Sequence, residues 1–253
     1  QGDEEEAPEQ RELLRDGVAL LHRAAAAGAI TVAEFLVSSL ELPVDGHCSK
    51  KRLKAATRAQ RCLRHSGKDG PRPAAPLHSA AAGSSLEGIA ALLELRASVT
   101  VTEAHGVMPL HLASSRGPPE AVDLLLEAKA PLAAKDLNLQ TPVHFAARSG
   151  NVSTLALLLE RWLADDAICS QGARVYGGPL DWRDRWHRTP VHWATLNDHT
   201  AALAALLEAR AAAEPPSIKG AKHAKNTTLR QESPLEIAQR RGNSAAAELL
   251  LSC

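Results

Sequence analysis

Eleven histidines and four cysteines are the side chains in this sequence most able to hold a metal or move a proton. Cys62-x-x-His65 has the spacing of a zinc-ligand pair, and His47 and Cys48 lie in the same stretch. Structural zinc sites typically use two such pairs, each with a short spacer. His47 and Cys48 are adjacent, so the second pair is missing and no metal site is expected. No HExxH, GxSxG or GxxxxGK[ST] string occurs. Gly67-Lys68 is followed by Asp69, where a phosphate loop needs Ser or Thr, and no strand pattern precedes it. Gly177-Gly178 lacks the rest of a dinucleotide fingerprint. Glu94, Glu127, Glu160 and Glu208 each follow a Leu-rich run. That recurrence marks a solvated helix end rather than an acid–base pair. The expectation is therefore no catalytic residue, no metal and no cofactor.

The elements that carry these residues can be read from composition. Ala (47) and Leu (37) supply a third of the 253 residues, Val plus Ile only 17, and aromatics 3%. Helices favour Ala and Leu, whereas strands favour β-branched and aromatic residues. An all-α protein is expected, and 45% apolar content is enough to build a core. Lys plus Arg equals Asp plus Glu at 29 each, which excludes a globally basic nucleic-acid coat and a globally acidic disordered chain. The longest uninterrupted apolar run is Ala201 to Leu207. A bilayer needs roughly 20 apolar residues, so no transmembrane helix is expected. Cys48, Cys62, Cys169 and Cys253 are scattered and form no CxxC pair, which favours a reducing, cytoplasmic or nuclear setting. The chain does not begin with Met, which leaves room for a removed targeting segment.

Five of the histidines stand in one recurring string. LHRAAAAG starts at Leu21, PLHSAAAG at Pro76, PLHLASSRG at Pro109, PVHFAARSG at Pro142 and PVHWATLND at Pro190. A degenerate copy, PLEIAQRRG, starts at Pro234. The shared position holds His22, His78, His111, His144, His192 and Glu236, at spacings of 56, 33, 33, 48 and 44. Pro suits the first turn of a helix, where its missing N–H costs nothing. Thr141, Thr189 and Ser233 precede it as candidate N-caps. Gly28, Gly117, Gly150 and Gly242 come after the helix as candidate left-handed C-caps. Leucine runs then mark a second helix, as at Leu124 to Leu126 and Leu157 to Leu159.

These copies resemble an ankyrin repeat array, from about Gly17 to Leu251. The resemblance implies an all-α solenoid of about six helix pairs with β-turn fingers. The first helices are expected to begin near Val18, Pro76, Pro109, Pro142, Pro190 and Pro234. It also implies that the repeat histidines bond to backbone and steady the turn. No pair can bury its own apolar face, so stability comes from stacking on neighbours. The first copy lacks Thr-Pro and the last carries Gln239, Arg240 and Arg241, so both are expected to be caps with a wetter outer face.

Residues 1–16, with Asp3, Glu4, Glu5, Glu6, Glu9 and Glu12, read as an acidic, disordered tail. Residues 17–253 read as the array, with long finger insertions at about 41–72, 164–183 and 213–232. The first insertion is basic: His47 to Arg72 holds nine Lys and Arg against Asp69 alone. It offers an amphipathic helix through Leu53, Ala56, Ala59 and Leu63, either lying solvated on the array or touching an acidic partner, RNA or an anionic membrane. No aromatics interleave its charges, which weakens single-strand nucleic-acid binding. The third insertion, with Pro215-Pro216, Lys219, Lys222 and Lys225, reads as a basic loop. Around the second insertion cluster Trp162, Tyr176, Trp182, Trp186 and Trp193, all the Trp and Tyr of the chain. Trp162 and Trp193 fall in repeat helices and suit packing. Trp186 falls on a finger, after Asp184 at the usual repeat Asp position, and suits exposure.

The resemblance places the binding surface on the fingers and the first-helix face. The candidate contacts are Trp186, Arg185, Arg188, Arg148, Arg116, His105, Asn138, Gln140, Leu196 and Asn197. Trp and Arg dominate binding hot spots, and this surface is basic with one aromatic anchor. The expected function is a non-catalytic protein-binding scaffold or adaptor that recognises an acidic protein surface or peptide. The alternatives are the substrate-targeting fragment of a longer enzyme, such as a ubiquitin ligase or kinase, and nucleic-acid or anionic-lipid contact through the basic insertion.

Overall fold

The computed structural model describes residues 8–45, 74–164, 179–209 and 232–252. Most of the three insertions lies outside these residues, as do Cys62, His65 and the acidic residues before Pro8. The described residues form twelve α-helices in six consecutive pairs and no strand. The pairs are α1 (Pro8–Ala27) with α2 (Ile30–Ser39), α3 (Pro76–Gly83) with α4 (Leu86–Glu94), and α5 (Pro109–Arg116) with α6 (Pro119–Glu127). Next come α7 (Pro142–Ser149) with α8 (Val152–Ala164), α9 (Pro190–Leu196) with α10 (Thr200–Glu208), and α11 (Pro234–Arg241) with α12 (Ser244–Leu251). A 3-10 turn at Pro179–Asp181 precedes α9.

The chain divides into two compact units, Gln1–Leu137 and Asn138–Cys253. In the first, α1, α3 and α5 pack in sequence, and α2, α4 and α6 do the same beside them. In the second, α7, α9 and α11 form one row and α8, α10 and α12 the other. The first helices meet through alanines: Ala80, Ala81 and Ala113 in the first unit, and Ala146, Ala147 and Ala194 in the second, have no exposed surface. The bulk of each core comes from leucines of the Leu-rich runs and the repeat string. Leu21, Leu77, Leu92, Leu110 and Leu125 are fully buried in the first unit, and Leu155, Leu158, Leu203 and Leu206 in the second. Deleting one such side chain leaves a cavity that costs about 2–5 kcal/mol.

The repeat histidines hold the helix starts, and within each unit some of them also reach the next segment. In α3, α5, α7 and α9, Nδ1 accepts the N–H of the residue before Pro, from Ala75, Met108, Thr141 and Thr189, each at 3.1 Å. The proton therefore sits on Nε2. From there His78 donates to the Val107 carbonyl at 2.9 Å. His144 donates to the Trp182 carbonyl at 3.0 Å and the Arg188 carbonyl at 3.3 Å. These two imidazoles thus hold their own helix start and the next finger at once. Thr141 and Thr189 make no side-chain bond to a helix N–H; their hydroxyls bond Nδ1 of His144 and His192 at 2.8 Å. Ser233 does cap, in a reciprocal pair with Glu236: the Glu236 N–H reaches Ser233 Oγ at 3.2 Å and the Ser233 N–H reaches Glu236 Oε2 at 2.9 Å. His22 differs, because its helix has no start nearby. Its Nδ1 lies 2.7 Å from the Val18 carbonyl and its Nε2 lies 2.8 Å from the Ala74 carbonyl.

Three sequence expectations change. Helix α1 starts at Pro8, not near Val18, so residues 8–16 of the expected tail are helical. Proline suits a first turn, and no breaker intervenes between Pro8 and Gly17. Gly28, Gly150 and Gly242 take the left-handed conformation, at φ 69°, 74° and 75°, but Gly117 is extended at φ −78° and ψ 158°. Pro118 comes next in the chain, and a residue before proline is pushed to extended backbone. The first pair also exposes the apolar side chains Leu20, Val32 and Phe35, which its expected role as a polar cap did not foresee. At the other end Gln239, Arg240 and Arg241 are exposed as expected.

Candidate functional site

In the second unit the finger before α9 is built around one carboxylate. Asp184 is 2% exposed. Its Oδ1 accepts the backbone N–H groups of Trp186 at 2.9 Å and Arg188 at 2.8 Å. Its Oδ2 accepts the Trp193 indole N–H at 2.8 Å and the Gln140 amide at 3.2 Å. Backbone bonds complete the turn: Asp184 N–H to the Arg188 carbonyl, and His187 N–H to the Asp184 carbonyl, both at 2.9 Å. The Arg185 N–H reaches the Asn138 carbonyl at 2.7 Å and ties this finger to residues before α7. A buried carboxylate needs this saturation, since an unpaired buried charge is costly. The result is a finger whose backbone has little freedom.

The four tryptophans form two edge-to-face pairs. Trp162 is buried and meets Trp182 at 5.2 Å between ring centres, which pins the loop to α8. Trp186 and Trp193 meet at 6.3 Å. Trp186 keeps 47% of its surface exposed. Trp193 is held from several sides: its N–H by Asp184, and its ring by the guanidiniums of Arg188 at 5.2 Å and Arg148 at 5.7 Å. Arg148 also lies 4.7 Å from the Phe145 ring. Each such cation–ring contact is worth about 0.5–1 kcal/mol at an exposed site. Arg148, Arg185 and Arg188 have no ion pair with a carboxylate among the described residues.

Arg185 is exposed, Arg188 is half-buried, and Asn197 is exposed with its amide on the Arg148 carbonyl at 2.7 Å. His199 Nε2 lies 3.1 Å from that same carbonyl. Leu196 and Asn138 are half-buried. Gln140 is 2% exposed and faces inward, donating to Asp184, so its part is support rather than contact. Arg116 and His105 belong to the first unit, where both are exposed. The Arg116 carbonyl accepts from Ser84 Oγ at 2.9 Å, and the His105 carbonyl from the Leu137 N–H at 2.9 Å.

Sequence reasoning missed Phe145 and Leu139. Phe145 precedes Arg148 by three residues, the spacing at which helical side chains meet. Leu139 and His187 occupy the finger position where the preceding finger has Gly106. All three are left-handed, at φ 61°, 60° and 73°, and Leu139 is 48% exposed. A leucine there carries strain that a glycine would not.

Among the described residues, no group of three or more His, Cys, Asp and Glu could hold a metal, and no helix is long and apolar enough to cross a membrane. His192 is pushed down from 6.5 to about 4, first by burial, then by the charges of Arg183 and Arg188. It is neutral near pH 7, as a hydrogen-bonded structural imidazole requires.

No curated protein matches the chain. A family model described as ankyrin repeats (3 copies) matches residues 77–168 and 110–218, together more than half of the sequence. That match agrees with the rows of stacked helix pairs and the histidine-tied helix starts, and the chain belongs to the ankyrin repeat family.

Proposed function

We propose that the chain is a non-catalytic scaffold or adaptor that takes an acidic protein surface or peptide on the fingers and first-helix face of its second unit. Ankyrin repeats generally mediate protein–protein interaction. The observation that carries the finer reading is Trp186, half-exposed on a finger locked by a buried carboxylate. Beside it stand three guanidiniums that form no ion pair with a carboxylate among the described residues. A rigid aromatic gives contact area at low entropic cost, and arginines match carboxylates bidentately. Asn197 and Leu196 border this surface, and Arg116 and His105 offer further contacts on the first unit. The scattered cysteines support a reducing setting, in the cytoplasm or nucleus.

Capture from a cell lysate by the full chain and by Trp186→Ala, followed by mass spectrometry, tests the reading. Partners with acidic segments should be retained by the first and lost by the second. Their affinity should fall by roughly 30-fold or more, the usual cost of a hot-spot truncation. Arg185→Ala and Arg188→Ala should mainly slow association and flatten its salt dependence. Equal retention by the full chain and Trp186→Ala would refute the anchor.

A further inference from the structure

Two exposed apolar side chains stand on neighbouring fingers of the second unit. Leu139, before α7, is 48% exposed, and Trp186, before α9, is 47% exposed. The bond from the Arg185 N–H to the Asn138 carbonyl sets these fingers side by side, and Leu139 and Trp186 are the next residues along each. The finger before α5, in the first unit, has Gly106 where Leu139 stands and His105 where Trp186 stands. Leu139 is left-handed, at φ 61°, a conformation that a glycine takes freely and a leucine does not. A half-exposed side chain regains little of that cost by burial in its own chain. Strain of this kind points to a use for the side chain outside the fold.

The charges around the pair are of one sign. In residues 138–149 and 184–197, the two fingers with α7 and α9, the Lys and Arg are Arg148, Arg185 and Arg188, and the single carboxylate is Asp184. Asp184 is buried, and each of its oxygens already accepts two donors. Arg148 and Arg188 lie over the Trp193 ring at 5.7 and 5.2 Å, and that ring meets Trp186 at 6.3 Å. Arg148 also donates to the Gln140 side-chain oxygen at 3.5 Å, one residue from Leu139. Extended chain covers roughly 3.3–3.6 Å per residue, so both guanidiniums stand within about three to four residues of the Trp186 ring.

We propose that Leu139 and Trp186 together seat one large apolar side chain of a partner peptide, whose carboxylates a few positions away pair with Arg148 and Arg188. This rests on the reading of these fingers as a docking surface and makes Leu139 its specificity-determining residue. Charge complementarity selects an acidic segment, because arginine pairs with carboxylates bidentately and the only carboxylate of these fingers and helices is buried. The apolar pair then selects among acidic segments. A polar side chain placed on it loses water without gaining a hydrogen bond, whereas Leu, Met or Phe does not.

Fluorescence polarisation of the full chain with short labelled peptide pools tests the proposal. One pool fixes glutamates on both sides of a central leucine. A second replaces the leucine by serine, and a third replaces the glutamates by glutamine. The first should bind on the order of tenfold or more tighter than either control. Leu139→Asn keeps a residue that tolerates the left-handed conformation, and circular dichroism melts confirm that it folds. It should bring the leucine pool down to the serine pool and leave the serine pool unchanged. Leu139→Met should retain the preference. Equal binding of the leucine and serine pools would overturn the proposal, and so would a Leu139→Asn that weakens both alike. Acidic pools weakened by Trp186→Ala but indifferent to Leu139→Asn would overturn the seat and leave the docking surface standing. Binding of no acidic pool would overturn the docking reading and this proposal with it.

Discussion

Acid should unfold the second unit partly through His192. This imidazole is 4% exposed and accepts the Thr189 N–H at 3.1 Å through Nδ1. Burial lowers its pKa to about 4 from 6.5, Arg183 and Arg188 add to the shift, and Asp184 and a hydrogen bond to the Glu232 backbone oppose it. Between those values the unfolded chain binds a proton that the folded chain refuses. Stability is therefore complete above the unfolded value and falls as pH drops towards about 4. One pKa unit is worth about 1.36 kcal/mol, so the group alone removes about 3 kcal/mol between pH 7 and pH 4. That is a large share of the roughly 5–15 kcal/mol typical of a domain. His192→Gln supplies the control. Glu236, at the same repeat position, shows that a side-chain oxygen there accepts the cap N–H, and a glutamine does not titrate. Urea unfolding at several pH values, monitored by tryptophan fluorescence, reports this unit because all four tryptophans belong to it. The original chain should lose about 3 kcal/mol more than His192→Gln between pH 7 and pH 4. Parallel curves for the two would refute the assignment of buried, neutral His192.

The packing sets three further outcomes. His144→Ala should cost about 1–3 kcal/mol, because the Thr141 N–H and the Trp182 carbonyl lose a buried partner; chemical denaturation checks it, and an unchanged midpoint would speak against the link between helix start and finger. Leu139→Gly should raise stability by about 0.5–1 kcal/mol, since relief of about 1–2 kcal/mol of left-handed strain outweighs the extra freedom of the unfolded chain; a lower melting temperature would show that the leucine packs rather than strains. Gly88→Ala should destabilise the first unit by about 1–3 kcal/mol, because the new methyl meets the Ala25 carbonyl; an unchanged melt would mean that α1 and α4 separate at little cost.

The repeat grammar was legible in the sequence because each of its parts acts locally. Proline starts a helix at Pro76, Pro109, Pro142, Pro190 and Pro234, glycine ends one at Gly150 and Gly242, and leucine runs mark the buried side of the next. Those choices depend on backbone rules that need no neighbour, and their recurrence named the fold and the six pairs. The exposure of Trp186 and the burial of Trp162 were legible for the same reason, since one falls on a finger and the other in a helix. What stayed hidden depends on which residues distant in the chain share a space. Gln140 looks like an accessible finger residue until Asp184, 44 positions later, draws its amide inward. Trp193 becomes a platform only when Arg148 and Arg188 converge on it from two different segments. The first pair passes for a polar cap by its missing Thr-Pro, yet Leu20 and Val32 stand exposed at positions that the later pairs bury. A linear pattern records which face of a helix is apolar; only the stacked helices decide whether a neighbour covers it.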